Sequence, residues 1–303
     1  MPAAAIDIGS NSVLLTVVAD DGGLLHDEAR VVGLGRGLGD RGLFQPEPMA
    51  AATAALTEYV GIAKSLGVES WSIKAVATSA ARRAMNAETF FARLQRKLGL
   101  RVKIISGEEE ARLTWLGSQR DLELPGGPRL VVDLGGGSTE LVLGEGDHLH
   151  TRVSLELGTV RLTEGMLPMD AQGRVDAGAV ARARKFIEVE MSTVSLDPSP
   201  RTVVGVAGTV TTLATMRLGL PTYDPDAVHG SPLTRSDLAR FVDQLLPTTH
   251  EQRLELARSS PERADYLLAG ALILDAALAH ARRQQMVVSD RGIRYGLLPR
   301  PTA

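Results

Sequence analysis

Two six-residue strings carry the most explicit chemistry in this chain: Asp7-Ile-Gly-Ser-Asn-Ser12 and Asp133-Leu-Gly-Gly-Gly-Ser138. Each follows a short apolar run, Ala3 to Ile6 and Leu130 to Val132. Each leads into a second β-rich stretch, Val13 to Val18 and Leu141 to Leu143, followed by a Gly-containing turn. Strand, aspartate, glycine-rich turn, strand is an arrangement for holding phosphate. The carboxylate sits at a strand end, glycine lets backbone N–H groups approach an anion, and the hydroxyl of Ser12 or Ser138 adds a donor. One such turn is weak evidence. Two matched copies 126 positions apart (133 − 7) predict two similar domains facing one anion across a cleft.

Three carboxylates, Asp7, Asp133 and Glu140, lie near these turns. Phosphate-rich substrates arrive with Mg²⁺ held by one or two carboxylates plus waters. These three are therefore the candidate metal ligands; a solvent-facing strand position is the structural alternative for Glu140. A candidate base comes from Ser106-Gly-Glu-Glu-Glu-Ala-Arg112. Ser106 with Glu109 three residues on makes a capping box, and acids suit a first helical turn, which accounts for Glu108 and Glu109. Glu110 is not needed for that. A carboxylate just inside a helix that opens onto phosphate can orient and deprotonate a water, and near its ordinary pKa of about 4.3 it is a base at neutral pH. Arg82 follows a strand and can reach a phosphate bidentately, with a surface salt bridge as the alternative. In Gly205-Val-Ala-Gly-Thr-Val-Thr-Thr212, a third glycine turn, Gly208 and Thr209 can add donors at a helix N-terminus. The six histidines are scattered; His148 and His150 face the same way on an extended segment, without a third ligand, and read as surface residues.

The elements that must position these residues alternate. Strands fill Ala3 to about Val32, a glycine-laden loop spans Gly33 to Gly42, and a helix runs from Pro46 to Leu66. Then come a strand (71–77), a helix (87–98), a strand (102–105) and a helix from Ser106. Leu124-Pro125-Gly126-Gly127-Pro128 is the clearest linker. The second half restarts with strands from Arg129, a helix over 176–191, a strand over 202–206 and a helix after Gly208. Helices over 236–246 and 261–283 and a strand over 286–289 complete it. Hairpin strands followed by alternating helices and strands, twice over, predict duplicated α/β domains with mixed sheets, divided at 1–123 and 124–303, with the last ~10 residues able to pack back on the first domain.

Composition is that of a soluble globular protein with room for two cores, 44% hydrophobic and 23% charged. No cysteine is present, which excludes disulfides, thiol catalysis and Cys-ligated zinc. Aromatics at 4% argue against a stacking platform for nucleic acid. No signal-peptide pattern opens the chain, and the apolar stretch 266–281 is too short to span a bilayer, so a cytoplasmic location without membrane or nucleic-acid partners is expected. The net charge of −3 conceals a local excess: between Lys74 and Arg120 ten cations face four anions, a balance suited to a polyanion. Arg93, Arg96 and Lys97 read as the wet face of a helix, whereas Arg82 and Arg83, beside Asn86, do not.

Taken in order, these segments resemble the exopolyphosphatase / guanosine pentaphosphate phosphohydrolase (Ppx/GppA) family. The matching strings are residues 7–12, 78–86, 106–112 and 133–140, with Leu157-Gly-Thr-Val-Arg-Leu-Thr-Glu164, Gly208-Thr-Val-Thr-Thr212 and Ser289-Asp-Arg-Gly-Ile-Arg294 further on. The resemblance covers nearly the whole chain. It implies an actin-like, ribonuclease-H-type (ASKHA) fold of two domains with an interdomain cleft. It places the catalytic glutamate on Glu110 and an essential aspartate on Asp133, with Glu140 linked to metal or catalysis. Implied phosphate contacts are Gly9, Ser10, Asn11, Ser12, Arg82, Gly135, Gly136, Gly137 and Ser138, with Gly208 and Thr209 as a further pair.

Two departures stand out: Tyr295 where members often carry Glu, and Glu156 where Pro is often seen. Longer members continue into helical domains, so a chain stopping at Ala303 is expected to hold fewer phosphates. The expected activity is Mg²⁺- or Mn²⁺-dependent removal of terminal phosphate from inorganic polyphosphate, by a homodimer. The alternatives are 5′-phosphate removal from guanosine pentaphosphate, an ATP-dependent small-molecule kinase of the same fold, and a non-catalytic phosphate sensor.

Overall fold

The computed structural model describes residues 1–38 and 42–299. The readings that touch 39–41 in the glycine-laden loop and 300–303 lie outside the described residues. The chain divides into two compact units, Met1–Gly117 with the segment from Ile293, and Ser118–Gly292.

In the first unit β1 (Ala3–Ile8), β2 (Ser12–Val18), β3 (Leu24–Val31), β4 (Lys74–Ala77) and β5 (Val102–Ile104) form one sheet in the order β3-β2-β1-β4-β5. The first three strands are an antiparallel meander, and β4 and β5 run parallel to β1. Parallel neighbours require crossover helices. These are α1 (Pro46–Ser65), before β4, and α2 (Ser79–Arg83) with α3 (Ala87–Leu98), between β4 and β5; α4 (Gly107–Ser118) follows β5 and reaches the first residue of the second unit. A proline in the first turn starts α1, which buries Ala52, Leu56, Tyr59 and Ala63. On α3, Phe90, Phe91 and Leu94 share the buried face, and Gly99 closes the helix in the left-handed conformation at φ 71°. Helix α1 packs on β2 and against α3, and residues 4–6 of the central strand Ala3–Ile8 are fully buried.

The second unit repeats the plan. Its strands are β6 (Arg129–Leu134), β7 (Thr139–Glu145), β8 (His148–Leu155), β9 (Thr202–Val206), β10 (Pro232–Thr234) and β11 (Gln285–Val288), ordered β10-β11-β9-β6-β7-β8. Its helices are α5 (Thr159–Met166), α6 (Ala177–Ser192), α7 (Gly208–Leu218), α8 (Pro225–Val228), α9 (Arg235–Leu245), α10 (His250–Leu256) and α11 (Leu267–His280). The run β8-β7-β6-β9-β11 has the same order and directions as the sheet of the first unit, with β10 added antiparallel to β11. The fold is thus a duplicated, actin-like α/β fold. Helix α11 is apolar on nearly every face, and Leu267 to Leu274 are all buried, as a helix central to a core must be. A last helix, α12 (Ile293–Leu297), returns to the first unit and packs on β1.

The strand expected from Trp71 begins at Lys74, and Trp71 is exposed. The single helix expected over 261–283 is a 3-10 turn, Pro261–Tyr266, followed by α11. There the Asp265 carboxylate accepts from Nε and Nη2 of the fully buried Arg253, at 3.1 and 2.8 Å, and pairs with His250 at 3.0 Å. These tertiary bonds tie the 3-10 turn to α10. Short helices α5, α8, α10 and α12 carry too little periodicity to be read locally.

Candidate active site

In the first turn the Gly9 N–H donates to the Ser12 carbonyl at 2.9 Å; in the second, Gly135 does the same to Ser138, also at 2.9 Å. The carbonyls between them are anchored from behind. Ser10 accepts from the N–H of Gly35 (2.7 Å), and Asn11 from those of Val32 and Gly33 (2.9 and 2.8 Å). Gly135 accepts from Thr159 (3.0 Å), and Gly136 from Val160 and Arg161 (2.9 and 3.2 Å). A trans peptide points its N–H opposite to its carbonyl. Anchoring those carbonyls therefore turns the N–H groups of Asn11, Ser12, Gly136 and Gly137 away from the supporting segments. Each turn thus becomes a row of donors suited to an anion.

The fit behind the second turn is close. A Cβ on Gly158 would stand 2.5 Å from the backbone carbons of Gly136 and Gly137, and one on Gly35 would stand 3.2 Å from the Ser10 carbonyl oxygen. Gly158 lies within a matching string and Gly35 within the glycine-laden loop, but no local pattern marks either for a role. Their importance lies in contacts with residues distant in sequence.

Asp7 on β1 is flanked by Leu14 and Val76, and Asp133 on β6 by Glu140 and Val206. The two aspartates thus hold the same position in the two sheets, but only the second faces a carboxylate across the ladder. Glu140 is buried, and its Oε1 accepts from the hydroxyls of Ser138 and Ser154, both at 2.7 Å. Two carboxylates beside a phosphate-type turn make a hard oxygen donor set that fits Mg²⁺ or Mn²⁺, ions that keep waters and substrate oxygens for their other positions. Among the described residues no three carboxylate, histidine or cysteine side chains cluster as a metal cage. Asp7 belongs to the first unit.

Glu110 is buried in the first turn of α4, and Arg82 Nη1 donates to its Oε2 at 2.5 Å and to the Ile105 carbonyl at 3.1 Å. Desolvation pushes the Glu110 carboxyl above the ordinary carboxylate range, while the Arg82 charge and hydrogen bond and the Thr78 hydroxyl pull it back. The expectation of an ordinary pKa there is corrected: burial outweighs the partners. Glu109 is structural, as expected, since its N–H donates to Ser106 Oγ at 3.2 Å. Its carboxylate accepts from Lys103 at 2.8 and 2.9 Å. Asn86 clamps the Phe44 backbone, accepting from its N–H at 2.9 Å and donating to its carbonyl at 3.1 Å.

Gly208 opens α7, Thr209 is buried behind it, and Ala207 precedes them at φ 81°, ψ 168°, a conformation foreign to residues with a Cβ. A Cβ on Gly208 would stand 2.6 Å from Nη2 of Arg263, a guanidinium whose pKa burial pulls down. Sequence reading missed Arg263 because it treated 261–283 as one helix. Tyr295 is buried with the Arg294 guanidinium over its ring at 5.9 Å, a packing role. Glu156 pairs with Arg161 at 2.6 Å.

The family model for the Ppx/GppA phosphatase family matches residues 16–301. Exopolyphosphatase 2 of Mycobacterium tuberculosis is 38% identical over 97% of this chain and 96% of its own length. A guanosine-5′-triphosphate,3′-diphosphate pyrophosphatase of Aliivibrio fischeri is 30% identical over 97% of this chain and 58% of its own. The crystal structure of the Aquifex aeolicus family member superposes with a TM-score of 0.82 at 36% identity, covering 98% of this chain and 96% of that one. With two phosphate-type turns on duplicated sheets and a buried carboxylate on Arg82, the chain belongs to the Ppx/GppA phosphatase family.

Proposed function

We propose that this protein is an exopolyphosphatase that hydrolyses the terminal phosphoanhydride of inorganic polyphosphate. The single observation that carries the reading is Glu110: a buried carboxylate whose raised pKa and hydrogen bond to Arg82 suit a general base. Glu110 takes a proton from a water as that water attacks the terminal phosphorus. The bond from phosphorus to the bridging oxygen breaks, and its electron pair leaves with the shortened chain. Arg82 and the outward N–H groups of Asn11 and Ser12, in the same unit as Glu110, bind non-bridging oxygens and stabilise their charge. Asp133 and Glu140 would hold a Mg²⁺, which when bound neutralises phosphate charge. Gly208 and Thr209, with Ser10, Gly135 and Ser138, are assigned to binding rather than to proton transfer.

Glu110→Gln should keep polyphosphate binding and lose orthophosphate release by a factor of at least about 10². Near-normal turnover would sink the assignment. Orthophosphate release from defined polyphosphates, with and without Mg²⁺, tests substrate and metal together. The name of the Aliivibrio fischeri relative keeps guanosine pentaphosphate as the second reading, and the same assay on that nucleotide decides it. Homodimerisation rests on the family resemblance and a cytoplasmic location on the sequence expectation alone; sedimentation velocity and cell fractionation check them.

A further inference from the structure

Arg36 has no part in the mechanism above. It follows Val32, Gly33 and Gly35, whose N–H groups anchor the Ser10 and Asn11 carbonyls, and its own N–H donates to the Gly33 carbonyl at 2.9 Å. Its side chain folds back over Gly33. That glycine has a φ of +62°, and a Cβ built on it would stand 2.7 Å from Cδ and 2.9 Å from Cζ of Arg36. The guanidinium therefore lies against the peptide that supports the turn. It is exposed, and among the described residues no carboxylate pairs with it. Two arginines near the supporting segments differ. Arg30 is held by Glu28 and Glu58, and Arg161, on the segment that supports the second turn, is neutralised by Glu156.

The N–H groups of Asn11 and Ser12 point away from the Val32–Gly35 backbone, whereas the Arg36 guanidinium lies on the Gly33 side. One phosphoryl group cannot take both, but successive phosphates of a chain can. An exposed guanidinium with no carboxylate partner among the described residues, carried on the segment that anchors the turn, offers the fork geometry that phosphate oxygens fit.

We propose that Arg36 binds a phosphate of the substrate other than the one being cleaved, and so sets the preference for chain length. This rests on the polyphosphate reading. The test compares kcat and KM of the full-length wild type, Arg36→Ala and Arg36→Lys on tripolyphosphate and on a much longer polyphosphate, with Arg93→Ala as a control for loss of one exposed charge. Arg36→Ala should raise KM for the long chain about tenfold, the size of one charge-assisted contact, with a much smaller rise for tripolyphosphate. Arg36→Lys should recover part of the loss, and Arg93→Ala should move neither KM.

A long-chain KM that does not move overturns the proposal. So does an equal rise at both lengths, or the same rise in Arg93→Ala. Equilibrium binding of long-chain polyphosphate to Glu110→Gln with and without Arg36→Ala separates contact from turnover: unchanged affinity also overturns it. If the wild type releases no phosphate from either chain while hydrolysing guanosine pentaphosphate, the parent reading fails and this one with it. An active wild type with an unmoved Arg36→Ala fails this one alone.

Discussion

Glu110 is where charge, burial and function meet. Its folded pKa is raised by desolvation, so the folded protein holds that proton to a higher pH than the unfolded chain does. The group's contribution to stability is therefore complete below the unfolded value of about 4.3 and is lost as pH rises through the folded value. Glu110→Gln, which mimics the neutral acid, should melt at or above the wild-type temperature at pH 7 to 8. The difference should close below about pH 4, a comparison that calorimetry across pH makes directly. With Glu110 in the proposed role of base, the acid limb of kcat/KM should lie above the ordinary carboxylate range, because a base must be ionised to act. Arg82 holds that value down, so Arg82→Ala should move the limb to higher pH as well as weaken phosphate binding. A limb left in place would separate Arg82 from the ionisation of Glu110.

The turns work only because other elements press on them. Gly158 lies against the backbone of Gly136 and Gly137, which cannot yield as a side-chain tip would. Gly158→Ala should cost about 1–3 kcal/mol in denaturant unfolding and lower kcat/KM, because the donors it supports are displaced. Gly165, on the same helix α5 with nothing within 4 Å of an added Cβ, is the contrast: Gly165→Ala should be neutral or stabilising by up to about 1 kcal/mol. Ala207 makes the opposite case at the start of α7. Its φ of 81° with ψ of 168° suits glycine, and such strain costs on the order of 1–3 kcal/mol. Ala207→Gly should therefore raise the denaturation midpoint despite the greater freedom of glycine in the unfolded chain. A lowered midpoint would show that the surroundings depend on the Ala207 methyl.

Across the whole molecule, the first unit is built from both ends of the chain. Arg294 on α12 is buried and donates to the Leu15 carbonyl at 3.2 Å, to Thr16 Oγ1 at 2.8 Å and to Asp27. Gly296 on the same helix lies against Leu113, so the C-terminal helix closes over β1, β2 and α4 together. Arg294→Met takes the donor from the Leu15 carbonyl and Thr16 Oγ1 while leaving the exposed Asp27 solvated, so it should destabilise by about 1–3 kcal/mol. The loss should appear as earlier proteolysis within residues 1–117. Cleavage confined to residues 118–292 would mean that Arg294 does not serve the unit it sits in.

Much of this was legible in the chain because it is local. Alternating strands, prolines that start helices and the doubled Asp-x-Gly turn act over a few residues each, and they sufficed to identify duplicated α/β domains and phosphate chemistry. Glu110, Arg82 and the two glycine turns were likewise named from residue type and spacing. Other features had no local signal. Gly35 and Gly158 look like any loop glycine until Ser10 and Gly136 are found against them. Arg263 lies in what reads as one helix, and the 3-10 turn that carries it is tied through Asp265 to Arg253 and His250, residues distant from it in any local pattern. The raised pKa of Glu110 is a sum over everything that excludes water from it, and no stretch of sequence contains that sum. Turn chemistry and periodicity are properties of neighbours along the chain; burial, close approach and charge pairing are properties of neighbours in space.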